Sequence, residues 1–260
     1  MRKGCLRPRP SASLPAVLNL AMRWTDLVPT FLKPFLRPIW KTGQTTPWLH
    51  PSRFRPVSRE ELNRYWRENS NGDSIQLVRS APRSAFIKDL IDKHARANPS
   101  ILEIGCDGGG NLDFLYRAGL TRLAGVEISP EALRLLRENY PEMASRIRLV
   151  EGPIEDQIKQ IADGEFDVVF TISVLAYIHH DCDWVLAEMV RVTSDLLISI
   201  DQKRAYSSHA VARDYRRIFE RLGMEMIDQP SLGGLAGADE FYFSAFVFRK
   251  PPARNPANRP

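Results

Sequence analysis

The feature that most constrains the fold is an alternation of short apolar segments with amphipathic segments between Ile101 and Lys250. Seven segments have the length and composition of strands, and an amphipathic segment with helical periodicity follows most of them. They are ILEI, LAGVEI, IRLVEG, FDVVFTI, DLLISID, EMIDQ and FYFSAFVFRK, beginning at residues 101, 123, 147, 166, 195, 225 and 241. This order predicts an α/β fold, a doubly wound, mostly parallel seven-stranded sheet with helices on both faces.

Local signals mark the ends of several helices. Ser58 and Glu61 have the spacing of a capping box, and Ser129 with Pro130 supplies an N-cap followed by proline at the first helical position. The segment RSAFIKDLIDKHA, from residue 83, places apolar side chains on one helical face. The segment VARDYRRIFERLG predicts a helix from Val211 that Gly223 closes.

Charge and composition divide the chain into four parts. We expect a basic, Pro-rich extension over 1–57, partly disordered or surface-associating, an N-terminal helical lid over 58–98, the α/β domain over 99–250, and a disordered tail over 251–260. Residues 1–60 hold 11 Lys and Arg against 2 Asp and Glu, and residues 249–260 hold 4 basic residues and no acid. Because the whole chain carries +5, residues 61–248 carry −8. This acidic body disfavours a nucleic-acid groove.

The N-terminal extension contains apolar pairs between Leu27 and Trp40, spaced at about four residues and separated by Lys and Arg. Pro29, Pro34 and Pro38 argue against one continuous helix, and the apolar runs are too short to span a bilayer. Two interpretations stay open. The segment contacts an anionic membrane surface peripherally, or it is an extension that packs on the domain or on a partner.

The cysteine content indicates a reducing compartment, so we expect a cytoplasmic protein. Cys5, Cys106 and Cys182 are the three cysteines and do not form an even set at disulfide-framework spacing. The sequence contains no CxxC or HExxH motif, and we therefore predict no metal site.

The glycine-rich segment ILEIGCDGGGNL, from Ile101 to Leu112, follows the first predicted strand. A dinucleotide-binding loop requires the pattern G-x-G-x-x-G. Read from Gly105, the second glycine position is Asp107, and read from Gly108, the third is Asp113. A carboxylate at either position disfavours a pyrophosphate, and with it a nucleotide-dependent oxidoreductase.

The same segment fits the pattern E/D-x-G-x-G-x-G through Glu103, Gly105 and Gly109, with Asp107 in place of the middle glycine. Here the chain resembles the class I S-adenosylmethionine-dependent methyltransferases. The resemblance continues in order through LAGVEISPEALRLL, LVEGPIED and FDVVFTISVLAYIH, and it covers about residues 101–250. It implies S-adenosyl-L-methionine as cofactor and makes residues 99–250 the methyltransferase domain.

The resemblance also implies roles for individual residues. Glu103 would orient the ammonium end of the cofactor, and Glu127 would accept both ribose hydroxyls. Ile154 would pack on the adenine and Glu155 would reach its amino group, although Pro153 stands where the family often has an acid. The complete set assigned to the cofactor is Glu103, Gly105, Cys106, Asp107, Gly109, Asn111, Glu127, Ile128, Ile154, Glu155 and Thr171, in which we expect Cys106 to pack within the loop.

The residues after the fourth predicted strand are the candidates for catalysis. His179 is the candidate general base and Tyr177 its neighbour at the acceptor, with His209 as a second candidate base. Many relatives carry Glu and His where this chain has Ala176 and Tyr177. A capping or packing role for His179 is the alternative.

We therefore expect a methyltransferase that acts on a small-molecule or glycan-like acceptor, at oxygen, with nitrogen as the alternative acceptor atom that stays open. The alternative is a cofactor-binding module of the same fold that lacks catalysis and serves as a partner subunit or membrane-recruited protein, because a fold does not by itself imply a chemistry.

Overall fold

The computed structural model describes residues 57–69, 81–204, 209–233, 235 and 240–252. The extension predicted over 1–57 therefore lies outside the described residues except for Val57, and the tail over 251–260 lies outside them except for Pro251 and Pro252. Within the described part, no helix combines the length and the apolar character needed to cross a membrane.

The strands form one seven-stranded sheet, as the alternation predicts. They are β1 (Ile101–Ile104), β2 (Leu123–Glu127), β3 (Arg148–Glu151), β4 (Phe166–Ile172), β5 (Thr193–Gln202), β6 (Glu225–Asp228) and β7 (Phe243–Arg249). Their order is β3-β2-β1-β4-β5-β7-β6. The first five strands pair in parallel, and β7 lies between β5 and β6 and is antiparallel to both.

Eight α-helices are described. They are α1 (Arg59–Asn69), α2 (Ala81–His94), α3 (Gly110–Arg117), α4 (Pro130–Asn139), α5 (Pro141–Ala144), α6 (Ile154–Gln157), α7 (Trp184–Val192) and α8 (Tyr215–Arg221). Three 3-10 turns, Ile158–Gln160, Leu175–Tyr177 and His180–Cys182, lie between them.

The predicted helix starts are confirmed at both caps. Ser58 Oγ accepts from the Glu61 N–H at 3.2 Å, while the Ser58 N–H donates to Glu61 Oε2. Ser129 Oγ accepts from the Ala132 N–H, and Pro130 is the first residue of α4.

The prediction of a helix from Val211 is wrong by four residues. Helix α8 begins at Tyr215 because Asp214 caps it by accepting from the Arg217 N–H. Arg213 uses its guanidinium for other contacts, described below.

Helices cover both faces of the sheet, and each face has its own apolar core. One core packs α6, α7 and α8 against alternate strand residues, and the other packs α2, α3 and α4 against the opposite face. In β1 the alternation is direct, since Leu102 and Ile104 belong to the first core and Ile101 to the second.

The strand order reverses at β1, whose neighbours are β2 on one side and β4 on the other. In sheets of this type, ligands bind outside the carboxyl ends of the strands at such a reversal. The same edge carries the end of β5 and the start of β7, since Gln202 pairs with Phe243.

Candidate functional site

A cavity of about 410 Å³ opens at this edge of the sheet. The loops after β1 to β4 line it together with the end of β5, the start of β7 and residues of α1 and α2. The lining residues are Asn63, Trp66, Asn69, Arg83, Glu103, Ile104, Gly105, Cys106, Asp107, Asn111, Val126, Glu127, Ile128, Gly152, Pro153, Ile154, Glu155, Ile172, Ser173, Val174, Tyr177, Ile178, Gln202 and Phe243.

Glu127 ends β2 and holds its carboxylate against two backbone donors. Oε2 accepts from the Asp107 N–H and Oε1 from the Ser129 N–H, both at 2.9 Å. Burial raises the pKa of Glu127 to about 7, and the two backbone donors only partly oppose that rise. The carboxylate is thus fixed in orientation and titrates near neutrality.

Glu103 in β1 is the next buried carboxylate of the cavity. Its Oε1 accepts from Asn111 Nδ2 at 2.7 Å, and Asn111 Oδ1 accepts from the Ser84 hydroxyl at 2.8 Å. Burial raises the pKa of Glu103 well above its ordinary value, with the nearby Asp107 and Glu127 adding to the effect. Its Oε2 is buried and has no hydrogen-bond partner among the described residues.

The glycine-rich loop turns sharply and brings a further carboxylate to the cavity. Asp107 adopts a positive φ of 45°, which Asp tolerates better than most residues, so the turn survives without the middle glycine. Both of its carboxylate oxygens are buried without a partner among the described residues. At Gly105, with φ 72°, a Cβ would lie 2.4 Å from Val174 Cγ2, so only glycine fits there.

Gly109 and Cys106 complete the turn of the glycine-rich loop. Gly109 precedes α3, and its N–H donates to the Cys106 carbonyl at 2.9 Å, but it does not line the cavity. Cys106 is 2% exposed, and burial raises the pKa of its thiol well above the ordinary range. A thiol of this kind is a packing group rather than a nucleophile.

The third side of the cavity comes from the loop after β3. Ile154 and Glu155 open α6, are both buried and line the cavity together with Ile128. Thr171, which the resemblance assigned to the cofactor, is fully buried in β4 opposite Ile104 and is not among the lining residues.

Two buried charged residues, Asp201 and Arg213, hold the loop after β4, and we call them the clamp residues. Asp201, at the end of β5, accepts from the N–H groups of three consecutive residues, Val174, Leu175 and Ala176, at 2.8–3.1 Å. Burial raises the pKa of Asp201 to about 6 against the effect of these donors.

Arg213 holds the other side of the same loop. Its guanidinium donates to the Leu175 and Ile178 carbonyls at 2.7 and 2.8 Å and pairs with Asp183 Oδ1 at 2.6 Å. Asp201 and Arg213 each lie 25 or more residues along the chain from the loop residues that they contact, and no local sequence pattern marks either of them.

The structure separates the residues predicted to act on the acceptor. Tyr177 lines the cavity, and its hydroxyl accepts from Gln202 Nε2 at 2.7 Å. His179 does not line the cavity, and its Nδ1 caps the following 3-10 turn by accepting from the Asp181 N–H at 3.2 Å. His209 stacks on Tyr65 of α1 with ring centroids 4.4 Å apart.

His179, His180 and Asp181 are also the one group of potential metal-ligating side chains that converges among the described residues, with their ligand atoms within 4.8 Å of one another. His180 and Asp181 are exposed, and the His179 Nδ1 is already used in the cap. The prediction of no metal site stays a prediction.

Two groups of cavity residues were missed by sequence reasoning. Helix α1 places Asn63, Trp66 and Asn69 on the cavity at intervals of three residues, and α2 adds Arg83, whose pKa burial lowers. Ser173 and Val174 line the cavity from the loop after β4, and Gln202 and Phe243 line it from β5 and β7. The i, i+3, i+6 spacing in α1 was a usable signal, whereas the other contacts depend on tertiary structure.

Residues 102–195 match the family model described as a methyltransferase domain. The match includes the glycine-rich loop, Glu127 and the loop after β4. The chain carries a class I S-adenosylmethionine-dependent methyltransferase domain. The family, enzyme class and cofactor expected from the four sequence motifs are thereby confirmed.

Solved structures share the fold of the methyltransferase at low sequence identity. Geranyl diphosphate C-methyltransferase from Streptomyces coelicolor A3(2), in complex with Mg²⁺, geranyl-S-thiolodiphosphate and S-adenosyl-L-homocysteine, is 12% identical, with a TM-score of 0.58 over 80% of this chain and 100% of that one. Magnesium protoporphyrin IX methyltransferase from Synechocystis PCC 6803, with bound S-adenosylmethionine, is 13% identical, with a TM-score of 0.54 over 73% and 97%. The [4+2]-cyclase SpnF is 15% identical, with a TM-score of 0.52 over 64% and 80%.

The cavity of the methyltransferase offers hydrogen-bond acceptors that fit a cationic nucleoside. Three buried carboxylate oxygens, Glu103 Oε2 and both Oδ atoms of Asp107, have no hydrogen-bond partner among the described residues. A buried carboxyl oxygen without a partner is costly, so the site is suited to a ligand that brings positive charge and hydrogen-bond donors.

Proposed function

We propose that this protein transfers a methyl group from S-adenosylmethionine to an oxygen of a small-molecule acceptor. The unpartnered carboxylate oxygens of Glu103 and Asp107 carry the proposal, because the cofactor's ammonium and sulfonium groups supply the missing positive charge. We assign the acceptor side to the cavity residues that follow β4 and to the end of β5.

We assign the cofactor-holding roles as follows. Glu127 accepts the ribose hydroxyls, for which its fixed carboxylate is oriented by the Asp107 and Ser129 N–H groups. Ile154 and Glu155 form the adenine subsite, and backbone donors of the glycine-rich loop hold the carboxylate of the methionine part. When bound, the cofactor supplies an electrophilic methyl group on a positively charged sulfur.

The chain's own contribution to the reaction is mainly positioning. The Asp201 and Arg213 contacts fix the turn that carries Tyr177, so the acceptor meets a wall with a defined shape. Holding two reactants in a near-attack geometry is itself a large part of rate acceleration. His179 remains the proposed proton acceptor, although its imidazole lies outside the cavity lining.

A single substitution separates the two roles of His179. As a general base, His179→Ala lowers turnover by roughly 10²–10⁴-fold at an unchanged unfolding midpoint. As a cap alone, the same change retains turnover and lowers the free energy of unfolding by about 0.5–2 kcal/mol. His180→Ala is the matched control, because that imidazole is exposed and adjacent.

A second candidate function is a cofactor-binding module without methyl transfer. The similar fold of a cyclase favours keeping it, since it shows that this architecture serves another chemistry. The test is transfer of a labelled methyl group from S-adenosylmethionine to the small-molecule fraction of a cell extract. Labelled product that depends on the protein supports the methyltransferase, and S-adenosylhomocysteine binding without any labelled product supports the module.

We further propose a cytoplasmic location with peripheral contact of the basic N-terminal extension to anionic membrane. The support is the excess positive charge of residues 1–60 and the apolar pairs between Leu27 and Trp40.

A glycan-like acceptor stays within the proposal as an alternative small polar substrate.

A further inference from the structure

The cavity has two sides with different chemistry. The carboxylates that line it, Glu103, Asp107, Glu127 and Glu155, come from the ends of β1 and β2 and from α6. The opposite side is formed by Trp66, Tyr177, Gln202 and Phe243, and we call these four residues the aromatic wall. Arg83 of α2 is the one basic side chain among the described residues that line the cavity.

The aromatic wall is continuous although its members come from four elements. Gln202 and Phe243 are paired residues of β5 and β7, and Gln202 Nε2 donates to the Tyr177 hydroxyl at 2.7 Å. The rings of Tyr177 and Trp66 have centroids 4.4 Å apart at an angle of 55°. Helix α1 is thus in contact with the turn that follows β4.

Trp66 supplies the polar feature of this wall. Its indole Nε1 is buried and has no hydrogen-bond partner among the described residues. An indole nitrogen is a donor only, and Trp residues in cores normally satisfy it. A ligand oxygen in the cavity would accept a hydrogen bond from this N–H, whereas an ammonium group offers no acceptor for it.

No histidine or lysine is among the described residues that line the cavity. An acceptor that loses its proton readily suits such a site. A phenolic hydroxyl has an ordinary pKa of about 10, as in tyrosine, far below that of water. A phenol therefore depends less on a strong base at the reacting oxygen than an aliphatic alcohol does.

We propose that the acceptor is a phenol, with its aromatic ring against Tyr177 and Phe243 and an oxygen accepting from the Trp66 indole. This proposal rests on the oxygen methyl transfer proposed above. The phenolic oxygen forms a bond to the methyl carbon while the carbon–sulfur bond breaks, its electron pair going to sulfur, and the phenolic proton passes through solvent to His179, the proton acceptor proposed above.

The test is a set of matched probes with the full chain, first saturated with S-adenosylhomocysteine in a calorimetric titration. Saturation-transfer NMR then compares phenol with cyclohexanol, and adds cyclohexylamine and methyl β-glucoside. We expect phenol to bind at least severalfold more tightly than the other three probes, consistent with the extra energy of aromatic contacts.

Two variants connect the preference to the aromatic wall. We expect Phe243→Leu to reduce the preference for phenol over cyclohexanol by roughly 2- to 10-fold, the ratio that corresponds to the loss of one aromatic pair. Trp66→Phe keeps a ring but removes the donor, and we expect phenol affinity to fall by a similar factor. Phe241→Leu is the control, because that ring is 54% exposed and does not line the cavity.

Unchanged S-adenosylhomocysteine affinity shows that each variant is folded. Equal binding of phenol and cyclohexanol, a preference for the amine or the glucoside, or a phenol preference unaffected by both wall variants would each overturn the phenol assignment while leaving the cofactor site intact. Failure of the unmodified protein to bind S-adenosylhomocysteine would overturn the proposed function and the phenol assignment together.

Discussion

At the scale of single residues, Glu127 links cofactor binding to pH. Its carboxylate must be ionised to accept two ribose hydroxyls, and its pKa in the unliganded protein is about 7. We therefore expect the affinity for S-adenosylhomocysteine to rise about tenfold between pH 6 and pH 8, because the ionised fraction rises by about that factor. Calorimetric titrations at several pH values measure this directly.

Glu127→Gln should remove this dependence and weaken binding at pH 8 by about 1.5–3 kcal/mol, the range for hydrogen bonds to a charged group. Glu151→Gln is the matched control, since Glu151 pairs with Glu127 in register but is exposed and does not line the cavity. The pH dependence of stability has the opposite sign to that of cofactor affinity. The contribution of Glu127 to the free energy of unfolding is complete below about pH 4.5 and is lost as the pH rises through about 7. A constant affinity from pH 6 to 8 would contradict the assigned ribose contact.

At the scale of elements, the loop after β4 depends on its two clamp residues. Asp201→Asn replaces an oxygen acceptor by a donor facing the N–H groups of Val174, Leu175 and Ala176. We expect a loss of about 1–3 kcal/mol in the free energy of unfolding, the cost of leaving buried donors unsatisfied, and faster amide exchange at those three residues.

Hydrogen exchange and urea unfolding test the clamp together. Asp195→Asn, which lies in the same strand and pairs with Arg249, is the control, and it should leave the exchange of residues 174–176 unchanged. Amide protection at 174–176 that is as strong in Asp201→Asn as in the wild type would show that the turn is held without the carboxylate.

Elements and residues differed in how well the sequence predicted them. The caps at Ser58 and Ser129 were predictable because each signal lies within four residues of its partner. Glu103 and Glu127 were predictable as site residues because parallel strands end at one edge of the sheet.

Ser84, Gln202 and Arg213 were not predictable, since their partners lie 25 to 38 residues away and no local pattern marks them. The late start of α8 has the same origin, because Arg213 contacts the loop after β4 instead of continuing a helical pattern. His179 was placed next to the reaction from its sequence distance to β4. The structure uses its Nδ1 to cap the next turn.

At the scale of the whole molecule, charge and proline separate the N-terminal extension from the acidic body. Deleting residues 1–41 should leave a folded protein with unchanged S-adenosylhomocysteine affinity, because residues 1–60 carry +9 and residues 61–248 carry −8, and the apolar pairs are interrupted by proline. Circular dichroism and calorimetry of the deletion variant check this.

The full chain, unlike the deletion variant, should bind vesicles that contain anionic lipid and should dissociate as salt rises. Neutral vesicles are the control for apolar binding alone. If the deletion variant fails to fold, the apolar pairs between Leu27 and Trp40 belong to the core.

The central claim is that the cavity at the β1 switch point binds S-adenosylmethionine through the carboxylates on its acidic side. Calorimetric titration of the purified protein with S-adenosylhomocysteine and with NAD tests it most directly. We predict one S-adenosylhomocysteine site per chain, weakened by about 1.5–3 kcal/mol in Glu127→Ala, and no heat signal with NAD. Binding of NAD without any binding of S-adenosylhomocysteine, or an S-adenosylhomocysteine affinity unchanged in a folded Glu127→Ala protein, would contradict it.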